Sequence, residues 1–141
     1  MAIIGYTFHV GDLFHPGHLH QLQQCRPHCD FLIVGLLTDE AVEAYKRKPV
    51  VPLEWRMEIY KALRIVDLVV VQPDRDPTSV LEVLHPDVLF HGDDWPDIPG
   101  REWMEARGKK VVVTPYEYGW KSTTEIIEEI VARECRGGCN G

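Results

Sequence analysis

The stretch Phe31–Leu37, FLIVGLL, runs seven residues without a polar side chain. A half-buried strand alternates apolar and polar residues, whereas an uninterrupted apolar run of this length reads as a strand covered on both faces. Such a strand belongs in a parallel sheet, which needs helical crossovers on both sides. The rest of the chain supplies both elements. Ile3–Phe8, Leu68–Val71, Val88–Phe90 and Val111–Val113 are further short runs rich in β-branched or aromatic residues. Between them lie helical segments. One starts at Pro16–Gly17, carries Leu19 and Leu22, and ends at Pro27. Thr38 is placed to cap a helix over Asp39–Tyr45. A third spans Leu53–Ile65, and Thr78 or Ser79 caps a short one ending near Leu84. Two more cover Arg101–Arg107 and Thr123–Arg133, the last with an apolar stripe of Ile126, Ile127, Ile130 and Val131. This alternation predicts an α/β protein, a Rossmann-like three-layer fold with a five-stranded, mostly parallel sheet. It predicts one domain over residues 1–134 and a flexible tail over 135–141.

In such sheets ligands bind beyond the carboxyl ends of the strands, at the point where strand order reverses. The chemically distinctive residues do follow strands. His15-Pro16-Gly17-His18 comes after the first, Gly92-Asp93-Asp94-Trp95 after the fourth and Ser122-Thr123-Thr124 after the fifth. Histidines three apart on a first helical turn share a face. A helix N-terminus adds free N–H groups and partial positive charge, which suit a phosphate. Gly17 lets a ligand approach the backbone closely. The same four residues also read as two surface histidines that help cap a helix. Ser122 with Glu125 fits a capping box, and with Lys121 beside it also fits an anion site.

The chain has 15 Lys and Arg against 22 Asp and Glu, a net charge of −7. That argues against broad binding to nucleic acid or anionic membranes. Yet Lys46, Arg47, Lys48, Arg56, Lys61 and Arg64 put six of the 15 cations within 19 positions. Functionally they form a phosphate clamp; structurally they read as a solvated loop and helix face. No apolar run approaches the ~20 residues of a membrane span, and no leader peptide is evident, so a cytoplasmic protein is expected. Cys25/Cys29 and Cys135/Cys139 lack the CxxC spacing of a zinc knuckle. His28 between the first pair leaves a metal site open, against the plainer reading of a buried helix end.

These motifs identify a resemblance. His15-Pro16-Gly17-His18 is similar to the HxGH motif of the nucleotidyltransferase superfamily, and Asp12 completes its usual D-x-x-H-x-G-H. Gly92–Trp95 and Ser122–Thr124 resemble the second and third signatures of the cytidylyltransferase branch. Arg56 and Leu63-Arg64-Ile65-Val66-Asp67 match family-type positions too. The similarity runs from Ile3 to Ile130 and is greatest to glycerol-3-phosphate cytidylyltransferases, which are small homodimers.

The resemblance implies transfer of CMP from CTP to a small phosphorylated alcohol, with release of pyrophosphate. His15, His18, Lys48 and Arg64 would be catalytic. Val10, Gly11, Asp12, His15, Gly17, His18, Gly92, Asp93, Asp94, Trp95, Ser122, Thr123 and Thr124 would bind the nucleotide. Lys46, Arg47, Lys48, Arg56, Arg64 and Lys121 would hold the acceptor or phosphates. Mg²⁺ would bridge the nucleotide phosphates, with Asp12 the one side chain considered as its ligand. The chain departs from the family pattern at Gly11, where a Phe is usual, and at Tyr45, where a Lys is usual. It also lacks the arginine that precedes the S-T-T signature; Glu117 and Tyr118 stand there instead. Phosphocholine, phosphoethanolamine and phosphonates are therefore alternative acceptors. An adenylyltransferase making FAD from ATP and FMN is an alternative reaction, and a nucleotide-binding module without turnover is an alternative class.

Overall fold

Alternate residues of the central strands face opposite sides, and both sides are buried. A computed structural model describes residues 1–93, 96–116 and 121–136. Strand β1 spans Ile4–His9, β2 Phe31–Leu37, β3 Leu68–Gln72, β4 Val88–Gly92 and β5 Lys110–Thr114. All pair in parallel, in the order β3-β2-β1-β4-β5. The helices are α1 Pro16–Cys25, α2 Asp39–Glu43, α3 Leu53–Lys61, α4 Thr78–Leu84, α5 Arg101–Ala106 and α6 Thr123–Arg136. Tyr6, Phe8, Ile33, Leu37 and Leu89 point to one side, into a core with Val42 of α2, Leu81 of α4 and Trp103 and Met104 of α5. Leu32, Val34, Leu36, Val88 and Phe90 point to the other, into a core with Leu22 and Cys25 of α1 and Tyr60 of α3. The result is the Rossmann-like three-layer α/β architecture.

The chain runs outward from β1 through β2 to β3, then returns to place β4 on the other flank of β1. The reversal point therefore lies between β1 and β4, and α1 rises from the β1 end of it.

Several element ends differ from expectation. Helix α3 stops at Lys61 rather than Ile65, because the chain must turn to deliver the Asp67 N–H to the Leu32 carbonyl at the start of β3. Thr38 caps α2 as expected, accepting from the Ala41 amide at 3.1 Å. Neither Thr78 nor Ser79 caps α4: the Asp76 carboxylate accepts from the Thr78 N–H at 2.8 Å and from its hydroxyl at 2.5 Å. Helix α6 continues through Cys135 and Arg136, two residues into the segment expected as a tail; Cys139 lies outside the described residues. Cys25 and Cys29 are buried, free thiols, and burial pushes both pKa values up. Among the described residues no group of three or more His, Cys, Asp or Glu could hold a metal; Cys25 and Cys29 are buried in the core beneath α1, and His28 between them is exposed. No helix among them is long and apolar enough to cross a membrane.

Candidate active site

The two motif histidines form the N-terminal cap of α1. His15 is the N-cap residue in extended conformation, and Pro16 opens the helix. His15 Nδ1 accepts the Gly17 N–H at 3.0 Å, and His18 Nδ1 accepts the His15 N–H at 3.2 Å. The pair thus builds a capping box with imidazoles in place of the usual hydroxyl and carboxylate. The chemical consequence is tautomeric. With Nδ1 of each ring accepting, a neutral imidazole must carry its proton on Nε2. Burial lowers the His15 pKa, and it pulls His18 down to about 2, with the charges of His9, His15 and Lys46 adding to the effect. At neutral pH His18 is therefore an uncharged Nε2–H donor.

The glycine of the motif serves the cap directly. A Cβ at Gly17 would lie 2.6 Å from His15 Cε1 and 2.9 Å from its Nδ1. The missing side chain makes room for the His15 ring. Gly11, at φ +70°, has a different reason to be glycine: a Cβ there would lie 2.7 Å from the Tyr60 ring. A phenylalanine at that position is incompatible with Tyr60 as it stands.

Beneath the histidines lies a buried polar network that sequence reading missed. Gln21 of α1 donates its amide N–H₂ to the hydroxyls of Thr7 and Thr114, 3.2 Å each. Those hydroxyls donate in turn to the carbonyls of Phe90 and His91. The Gln21 carbonyl must then face His9 Nε2 at 2.6 Å, so His9 is protonated on Nε2 and its Nδ1 accepts from the Tyr60 hydroxyl at 2.8 Å. Burial holds the Tyr60 pKa well above the ordinary phenol value. The network ties β1, β4, β5, α1 and α3 together under the reversal point. Its one legible signal was a run of polar residues, Thr7 and His9, at alternate positions of a central strand.

A cavity of about 640 Å³ opens above this floor. His15, Gly17, His18, Val10 and Asp12 line it from the β1–α1 turn, and Gly92 and Asp93 from the β4 end. Ser122, Thr123 and Thr124 close it from the start of α6. Thr123 Oγ1 donates to the Asp12 carbonyl at 2.9 Å and lies 3.3 Å from His15 Nε2. The Ser122 hydroxyl accepts the Glu125 N–H at 3.2 Å, and the Glu125 carboxylate accepts the Ser122 N–H at 3.3 Å, so the capping box forms within the cavity wall. Lys46 and Arg47 reach the cavity from the loop after α2, and Arg47 donates to Thr124 Oγ1 at 3.0 Å. Asp94, Trp95, Glu117 and Tyr118 lie outside the described residues.

Other expected site residues are placed elsewhere. Arg56 is fully buried. Its guanidinium donates to the carbonyls of Val51, Val10 and Leu37 at 2.7–2.9 Å and pairs with Asp39 at 2.6 Å. It is a brace between the β1 and β2 ends and the 49–51 loop, with no donor turned to the cavity. The Asp12 carboxylate is a second brace, accepting the amides of Val50 and Val51 at 2.9 and 2.8 Å. Arg64 is exposed in the turn before β3, at the amino edge of the sheet and across its width from the cavity. Lys48 is exposed outside the cavity lining, and Lys121 pairs with Glu129 of α6. Two residues not anticipated from sequence, Tyr45 and Arg75, do line the cavity.

Residues 10–129 match the model of the cytidylyltransferase-like family. The chain belongs to this family. It is 38% identical over 128 residues to the bifunctional protein HldE of Hyphomonas neptunium, covering 88% of this chain and 26% of that protein. It is 40% identical over 133 residues to HldE of Gluconacetobacter diazotrophicus, covering 92% and 27%. The chain thus spans about a quarter of the length of these relatives. Its fold is shared by a lipopolysaccharide core biosynthesis protein from Thermoplasma volcanium, with a TM-score of 0.72, 20% identity and coverage of 83% of this chain and 98% of that one. It is shared too by pantoate-beta-alanine ligase from Francisella tularensis, with a TM-score of 0.60, 14% identity and coverage of 94% and 69%. The motif resemblance and the family match therefore agree: this is a cytidylyltransferase-like nucleotidyltransferase domain.

Proposed function

We propose that the protein transfers a nucleotidyl group from a nucleoside triphosphate to the phosphate of a small acceptor and releases pyrophosphate. The observation that carries this reading is the histidine cap of α1. Two neutral imidazoles, each with Nδ1 bound to backbone, deliver Nε2–H donors beside the hydroxyls of the α6 start. The base would lie over β4 and β5, the α-phosphate over His15 and His18, and the β- and γ-phosphates toward Ser122, Thr123, Thr124 and Arg47.

The acceptor phosphate needs no general base. Its second pKa is near ~6, so it is largely dianionic at neutral pH. One of its oxygens attacks the α-phosphorus, the bond to the bridging oxygen breaks, and pyrophosphate leaves with the electron pair. Charge on the equatorial oxygens is met by the Nε2–H donors of His15 and His18. The 3.3 Å contact of His15 Nε2 with Thr123 is weak enough for a phosphate oxygen to replace. Mg²⁺ would enter with the triphosphate and offset the charge of the leaving pyrophosphate. Both Asp12 oxygens already bind amides, which fits an ion held chiefly by phosphates and water rather than by that side chain. The family resemblance further supports a homodimer, and light scattering at the monomer mass of 16.2 kDa would remove that assignment.

CTP with glycerol 3-phosphate is the substrate pair that the sequence motifs support. The HldE relatives support a second pair, ATP with a sugar phosphate, giving an ADP-sugar such as ADP-heptose. Pyrophosphate release measured with CTP, ATP, GTP and UTP against a panel of phosphomonoesters and phosphonates tests the reading. Turnover with CTP alone supports the first pair, and turnover with ATP and a sugar phosphate the second. Nucleotide binding without pyrophosphate release under any acceptor would overturn the enzymatic reading.

A further inference from the structure

Helix α1 carries a polar stripe of which the nucleotidyl-transfer reading uses only the first member. His18, Gln21 and Gln24 recur every three residues and so share a face. The fully buried side chains of α1 are Leu22 and Cys25, both in its second half, and none of residues 16–20 joins the core. Apolar packing therefore anchors the far end of the helix and leaves the turn that bears His18 to be held by other means. The stripe supplies them. Gln24 donates to the Pro115 carbonyl at 2.9 Å, just beyond β5. Gln21 donates both amide N–H groups, to Thr7 of β1 and Thr114 of β5, at 3.2 Å each. Those hydroxyls are themselves fixed on the carbonyls of Phe90 and His91 in β4. One side chain thus keys α1 to three strands across the reversal point.

The Gln21 carbonyl has a second task. It accepts from His9 Nε2 at 2.6 Å while the Tyr60 hydroxyl donates to Nδ1 of the same ring at 2.8 Å, so His9 is clamped at both nitrogens. The His9 ring centroid lies 5.8 Å from that of His18, and Phe14 stacks on His18 at 5.5 Å with an interplanar angle of 18°. His18 therefore has two ring neighbours, one of which Gln21 braces. A side-chain amide has two N–H donors, and both are committed here, so Gln21 borders the cavity with no donor left for a ligand. We infer that Gln21 is a positioning residue for the transfer reaction: it registers α1 on the strand ends and braces His9 behind His18, and so aims the His18 Nε2–H donor without holding either substrate. The inference rests on the nucleotidyl-transfer reading and deepens it.

The test pairs kinetics with nitrogen-15 NMR of the imidazoles. Gln21→Met keeps the length of the side chain and removes its polar atoms. It should lower kcat about tenfold or more, since small misplacements at a reacting centre are costly, while the nucleotide KM stays within about twofold. In the spectra, His9 of the wild type should be the neutral Nε2–H tautomer. Gln21→Met should abolish that fixed tautomer, because Tyr60 alone can pair with either form of the ring, and should displace the His18 signals. Thr114→Val, which removes one anchor of the amide, should lower kcat less at the same KM, and it decides the matter if Gln21→Met does not fold. A raised nucleotide KM at unchanged kcat would make Gln21 a binding residue and overturn the inference. Unchanged kcat, or His9 and His18 signals identical to wild type, would overturn it too. A wild-type protein without pyrophosphate release under any acceptor would remove the transfer reading alone, and the His9 and His18 signals would then decide whether Gln21 sets the placement of His18.

Discussion

Gly17 illustrates how a single missing side chain serves chemistry through a neighbour. The His15 ring occupies the space where a Cβ would sit, 2.6 Å from its nearest atom. Gly17→Ala should therefore push the imidazole off the cap and away from the phosphate it is built to meet. Displacements of about 1 Å at a reacting centre cost on the order of 10²-fold in rate, and that is the expected fall in kcat, with a melting temperature close to wild type. His15→Ala and His18→Ala should each lower kcat by about 10²-fold or more, as the loss of one transition-state donor does. Circular dichroism alongside the rate assay separates these effects from unfolding. Near-normal rates in both histidine variants would dismiss the two-donor assignment.

Among the elements, α3 shows where composition misleads. Its Arg56 belongs to a cluster of cations that reads as a phosphate clamp, yet it sits at zero exposure with four partners. Breaking a buried ion pair by removing one partner costs about 3–5 kcal/mol. Arg56→Met should lower the urea unfolding free energy by that order, while nucleotide affinity measured on the folded fraction changes far less. A collapse of affinity at unchanged stability would return Arg56 to the binding site. The contrast explains what could be read in advance. Central strands were legible because burial on both faces leaves an unbroken apolar run, as in Phe31–Leu37. The HxGH turn was legible because its spacing and setting are local. Which cations reach the cavity was not, because that depends on sheet order: Arg64, before β3, falls at the amino edge, whereas Arg75, just after β3, falls at the carboxyl edge. The α4 cap was missed for a local reason: Asp76 reaches past Pro77 to the Thr78 amide, so the capping side chain lies two residues before the helix rather than at Thr78 or Ser79.

For the molecule as a whole, the net charge of −7 hides a cavity with imidazoles and cations at its centre, and the imidazoles couple that cavity to global stability. An unfolded chain holds His18 at the ordinary pKa near ~6.5, whereas the folded protein lowers it to about 2. Between those values the unfolded state binds a proton that the folded state refuses. Stability must then rise with pH across that window and fall as the solution is acidified, by up to about 1.4 kcal/mol per pH unit for one fully differing proton. His15, lowered in the same direction, adds to the slope. The depressed carboxylates Asp67 and Glu129 destabilise in the same sense, but only as the pH falls below the ordinary carboxylate range of ~4. Melting temperatures from pH 7.5 to 5.0 therefore isolate the histidines. The wild-type curve should descend across that range, and His18→Gln should descend less steeply, whatever its stability at pH 7.5. Parallel curves would show that His18 takes up its proton in the folded protein as readily as in the unfolded chain, and would remove the physical basis for treating it as a neutral donor.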